Sequence, residues 1–154
     1  MEFFLNNDTI LFGKLLLALI LGLALGFERT IAGKTAGMRT YALVAMGSCL
    51  LIIVSQSVTV SYIGSANFDP LRMAAGIVMG IGFICGGLIV FLDKQLTGLT
   101  TAAGMWVATA IGIAVGYGLF TLAIFATILT LVTFTLLFKV EESVRKFSNE
   151  NARD

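Results

Sequence analysis

The sequence predicts an all-α fold: an integral membrane bundle of five transmembrane helices, N-terminus outside and C-terminus cytoplasmic. Three observations carry that prediction. The 154 residues are 58% hydrophobic and only 12% charged, with a mean hydropathy of +0.98, where a soluble domain carries about 25% charged residues. The apolar residues gather into five runs, at about 9–27, 39–60, 70–92, 100–116 and 120–138, and a helix of about 20 residues crosses a hydrocarbon core of about 30 Å. Basic residues are the third signal. With alternating spans, Arg29, Lys34, Arg39, Lys94, Lys139, Arg145, Lys146 and Arg153 share one side, leaving only Lys14 and Arg72 for the other. The positive-inside rule makes the richer side cytoplasmic.

The opening residues, MEFFLNNDT, lack the basic flank of a secretory signal, so the first run reads as a retained membrane helix. Span one, Thr9–Phe27, follows Asp8 as an expected cap. Its Ala18, Gly22 and Gly26 recur every four residues and mark a close-packing face. Lys14 lies one turn before Ala18 and either snorkels outward or pairs within the bundle.

Glu28–Met38 reads as a polar loop. The far half of span two carries Ser48, Ser55, Gln56, Ser57 and Thr59, which lipid cannot satisfy and a neighbouring helix or wet cavity can. After a connection at Ser61–Phe68, Asp69 caps span three and Pro70 takes its first position, where a missing N–H costs nothing. Gly76, Gly80, Gly82 and Gly86 make this span a packing element, with Asp93–Gly98 as the turn after it.

Span four places Gly104, Ala108, Gly112 and Gly116 four apart, a whole stripe of small residues, with Trp106 as an interfacial anchor one turn in. One such stripe can serve a homo-oligomer, a dimer first. Gly116-Tyr117-Gly118 turns the chain, and span five, without glycine, suits the periphery. Residues 139–154 form a polar tail, helical as far as Phe147. The motif G-x-x-T-x-A opens spans two and four, at Gly37 and Gly98; parallel repeats and shared helix-start chemistry explain it equally well.

The composition also excludes several function classes. With no basic cluster, a nucleic-acid partner is set aside. There is no His, the commonest general base, and Cys49 and Cys85 have no ligand spacing, so neither an enzyme nor a metal centre nor a cofactor is expected. The ionisable and hydroxyl groups at helix ends are the binding or gating candidates: Glu28, Arg29, Arg39, Thr40, Asp69, Arg72, Thr100 and Thr101. Arg72, a turn before Gly76, is expected on the packing face, paired with Asp69. Glu28 is expected near the positive end of span two, bridged by Arg39, and Thr100 and Thr101 offer donors at the start of span four. Short loops would bring Glu28, Arg39, Asp93, Thr100 and Thr101 to one cytoplasmic mouth. Ordinary capping and interfacial anchoring explain each cluster about as well.

With these residues in view, the chain resembles the MgtC/SapB family of bacterial membrane proteins. The likeness runs from about Leu21 to Gly118 through GFER, AGMRTYALVAMG, DPLRMAAGIVMGIGF and GLTTAAGMWVATAIGIAVGYG, in that order and spacing. The same eight candidates match the family's recurring charged and hydroxyl positions. Two departures stand out. Cys85 replaces a glycine of the family's usual GFLGAG, and only residues 139–154 follow span five where better-known members carry a soluble domain. The resemblance implies an inner-membrane protein tied to growth in low magnesium, acid stress and survival in host cells, with the membrane ATP synthase as a possible partner. It does not imply a Mg²⁺ cage, since such a site needs oxygen ligands and the intramembrane carboxylates here are too few. Two functions are therefore expected: a non-enzymatic role in magnesium or stress homeostasis through a membrane partner, or a transporter or channel between spans two, three and four.

Overall fold

A computed structural model describes residues 2–61, 69, 71–92, 95–141 and 143–144. Among these residues, five helices are long and apolar enough to cross a membrane. Helix α1 spans Glu2–Ile31, α2 Met38–Ser61, α3 Leu71–Leu88, α4 Leu99–Gly116 and α5 Phe120–Val132, with a π-helical turn at Thr133–Leu137 before helix resumes. Between α3 and α4 lies a small hairpin of β1, Val90–Leu92, and β2, Gln95–Thr97.

The core is a trio of α1, α2 and α4, and glycine makes it possible. A β-carbon on Gly22 would sit 2.6 Å from the Tyr41 carbonyl oxygen, and one on Gly26 would sit 2.6 Å from the Met38 Cα. Gly112 lies directly against the Ala45 backbone, and Gly116 against Ile52 and Cys49. Lipid gives helices no hydrophobic reason to associate, so such backbone approach supplies van der Waals contact that larger residues would forbid. Around these points Ala18, Ala45, Ala108, Met105 and Val115 have no exposed surface. Helix α5 packs on α4 and α1 through Ala123, Thr127 and Phe134.

Helix α3 is different. It leans mainly on α4, and Ile81 is its buried residue. Gly76, Gly80, Gly82 and Gly86, expected as packing positions, meet nothing within 4 Å of where a β-carbon would be. Among the described residues no neighbour comes close enough to use them as packing positions. Span three also ends early. Helix stops at Leu88, after Gly86 and Gly87 have lowered its helical preference, and Val90–Leu92 pairs with Gln95–Thr97 instead of continuing as helix.

Two smaller expectations change. Asp8 lies inside α1 and caps nothing, since the helix begins at Glu2. The loop after α1 shrinks to residues 32–37, so Glu28 and Arg29 belong to the last turn of α1. The tail is helical at 138–141 and 143–144, while Phe147, Asp93, Lys94 and the 62–68 connection lie outside the described residues. Both G-x-x-T-x-A segments open their helices with one bond type: Tyr41 N–H donates to the Gly37 carbonyl and Ala102 N–H to the Gly98 carbonyl.

Candidate functional site

The last turn of α1 carries the most unusual group in the chain. Arg29 is 4% exposed, although it is a permanent cation in an apolar bundle. Two partners hold it. Its Nε donates to the neighbouring Glu28 carboxylate, and its guanidinium lies 3.7 Å from the centre of the Phe134 ring. The position at the C-terminal end of α1 adds the favourable helix dipole. Phe134 is presented by the π turn of α5, a local widening that re-aims side chains and recurs at functional sites.

Phe134 joins this pair to the middle of the bundle. A β-carbon on Gly104 of α4 would be 2.5 Å from the ring and 2.6 Å from the Tyr41 hydroxyl oxygen, so both aromatic groups converge on that glycine. The Tyr41 hydroxyl donates to the Thr101 carbonyl at 3.0 Å, and the Tyr41 side chain is wholly buried. Glu28, Arg29, Phe134, Gly104, Tyr41 and Thr101 thus form one cluster drawn from α1, α2, α4 and α5. Among the described residues no buried side-chain nitrogen or oxygen lacks a hydrogen-bond partner. Within the cluster the Arg29 Nε is engaged by Glu28 and the Tyr41 hydroxyl by Thr101.

The remaining candidates lie apart from it. Arg39 is exposed and does not bridge to Glu28, because Arg29 already occupies that carboxylate. Thr40 is half-buried and Thr100 exposed, so of the expected mouth the structure brings Glu28 and Thr101 into one cluster and leaves Arg39 and Thr100 outside it. Asp69 is a cap: its carboxylate accepts from Leu71 N–H at 2.9 Å and its carbonyl from Arg72 N–H at 3.2 Å. Arg72 is exposed and makes no ion pair with Asp69; the expected pair fails because capping uses that carboxylate.

Four residues join the picture that sequence reasoning passed over or left open. Thr30 links α1 to α2, its hydroxyl donating to the Gly26 carbonyl and accepting from Met38 N–H. Tyr41 and Phe134 read as ordinary apolar positions in sequence. Lys14 turns inward, donating to the Gly116 carbonyl at 2.8 Å, so the far end of α4 is capped by a lysine from α1.

Between α2, α3 and α4 a groove of about 470 Å³ runs past Gly47, Gly76 and Gly80. Its two hydroxyls, on Ser48 and Thr109, donate to carbonyls one turn back in their own helices. The rest of the lining is aliphatic or glycine apart from Met73. Among the described residues no three His, Cys, Asp or Glu side chains gather to hold a metal ion.

The MgtC family profile matches residues 15–143. The chain is 43% identical over 121 residues to the putative magnesium transporter YhiD of Escherichia coli K12, covering 77% of this chain and 56% of that protein. It is 38% identical over 120 residues to protein MgtC of Brucella abortus, covering 78% and 48%. Protein SrpB of Synechococcus elongatus is 36% identical over 132 residues, covering 78% and 70%. The chain thus spans about half the length of the first two. No solved structure matches it.

Proposed function

The chain belongs to the MgtC family, and from that premise we propose that it is a non-enzymatic inner-membrane protein of magnesium or stress homeostasis, acting through a membrane partner. The basic side of the bundle, with Arg29 and Lys139, faces the cytoplasm in this reading. The partner is a membrane protein such as the ATP synthase, as the family resemblance implies, and the protein itself works as a homo-oligomer, a dimer in its simplest form. The observation that carries the reading is the Arg29 cluster, whose ion pair, aromatic lid and Tyr41 hydrogen bond are all made within the chain. A conducting element needs polar groups left over for its cargo. This cluster instead resembles a latch that fixes how α1, α2, α4 and α5 meet.

The alternative is a transporter or channel with a pathway between α2, α3 and α4. What favours it is the name of the Escherichia coli relative, a putative magnesium transporter. Against it stands the groove between those helices, whose hydroxyls are already engaged and which offers a cation almost no oxygen ligands. Two measurements separate the readings. Growth of a deletion strain in low magnesium, or at acid pH, should be restored by the wild-type chain and not by Arg29→Gln at equal abundance. Purified protein in proteoliposomes should carry no Mg²⁺ flux above empty vesicles. A specific flux that disappears in Arg72→Gln would sink the regulatory reading.

A further inference from the structure

The second half of α1 and the end of α5 enclose a groove of about 870 Å³, within the roughly 300–1,000 Å³ of pockets that take small organic ligands. Ala24 and Ala32 thin the α1 wall, and Phe134 and Phe138 form much of the facing one. Two charged residues line it, Glu28 and Lys139. They are not equivalent. The Glu28 carboxylate is engaged by Arg29, whereas Lys139 is exposed and makes no ion pair among the described residues. The groove is thus an apolar trough with a cation at its end that no described carboxylate pairs. That end is where α1 and α5 finish their apolar spans, at Ile31 and Glu141.

An occupant that fits must be apolar along its length and anionic at one end, at the depth of the headgroups. We infer that this groove seats an acyl chain of an anionic phospholipid, with its phosphate on Lys139 Nζ. The chain rests against Phe134, the ring that also carries the Arg29 guanidinium. Lipid occupancy therefore braces the same aromatic ring from the outside that closes the cluster from within. The groove between α2, α3 and α4, by contrast, has no charged residue in its lining.

The test uses the full chain with a tryptophan reporter in the groove, Phe138→Trp in a Trp106→Phe background, in phosphatidylcholine vesicles containing brominated phosphatidylglycerol. One lysine near an anionic surface favours it by a factor of about five, so half-maximal quenching of the reporter should need an about fivefold lower fraction of phosphatidylglycerol than quenching of native Trp106. Lys139→Gln in the reporter chain should erase that preference, and so should Ala24→Leu, which fills the trough. If one of these variants is not recovered folded, the other gives the same reading. Equal quenching of the two positions, or a preference that survives substitution, overturns the inference, as does the same preference for brominated phosphatidylcholine. The readout is lipid contact rather than growth, so its failure and the failure of the homeostasis reading are separate results.

Discussion

Helices α4 and α3 are both 18 residues long, both rich in glycine and both apolar, yet the same residue does opposite things in them. In α4 the glycines are points of close contact: Gly104 against the Phe134 ring and the Tyr41 hydroxyl, Gly112 on the Ala45 backbone, Gly116 on Ile52. In α3 the five glycines face open space. A four-residue spacing of small side chains states that a helix can be approached closely. It does not state by what. In α4 the approach comes from α2 and α5 of the same chain, while in α3 no described residue makes it.

Substitution in both helices at once breaks this comparison most directly, and the largest effect belongs to Gly112. A side chain there runs into the Ala45 carbonyl, backbone that cannot swing aside. Gly112→Leu should therefore yield little folded protein, and even Gly112→Ala should cost about 3 kcal/mol, the upper part of the usual overpacking range. Thermal unfolding in detergent, followed by size-exclusion chromatography, measures it. Gly112→Ala as stable as the wild type would mean that α2 and α4 do not touch as described.

Next in size is Arg29→Gln. Removing one partner of a buried pair costs about 3–5 kcal/mol because the other charge is stranded. Glu28 keeps 17% of its side-chain surface exposed, so the low end, about 3 kcal/mol, applies. The loss should be partly relieved by Glu28→Gln in the same chain, since that variant strands no charge. A double mutant no better than the single would show that Arg29 matters for its place over Phe134 rather than for its charge. Tyr41→Phe is smaller again. It removes one hydroxyl that donates to the Thr101 carbonyl, worth about 1 kcal/mol, and the same unfolding assay should resolve it.

The two helices also show how far the sequence reaches. Five spans were legible because hydropathy is a property of each segment alone, and the Asp69 cap was legible because its partners lie two and three residues away. The Arg29–Phe134 stack joins residues more than a hundred positions apart, and the Tyr41–Thr101 bond joins residues 60 apart. Nothing in either segment records which helices stand side by side. The expected bridge from Arg39 to Glu28 failed for the same reason in reverse: Glu28 already had a partner one residue away. The early end of α3 was hidden because Ile89–Leu92 is as apolar as the helix before it, and hydropathy does not distinguish a helical turn from a β-hairpin arm.

The smallest expected effect sharpens the comparison most. Gly80→Ala puts a methyl group into open space on α3, so stability should change by no more than about 0.5 kcal/mol, and in the stabilising direction, since alanine holds a helix better than glycine. Gly80→Leu should leave unfolding equally undisturbed in the isolated chain. Its effect, if α3 offers its glycine face to a second copy, falls on association alone: mass measurement in detergent should show the dimer lost while the melting profile of the monomer stays in place. A drop in monomer stability comparable to that of Gly112→Ala would mean the α3 glycines are packed within the chain after all. A dimer that persists through both substitutions would place the face against lipid, and the homo-oligomer would then need another surface.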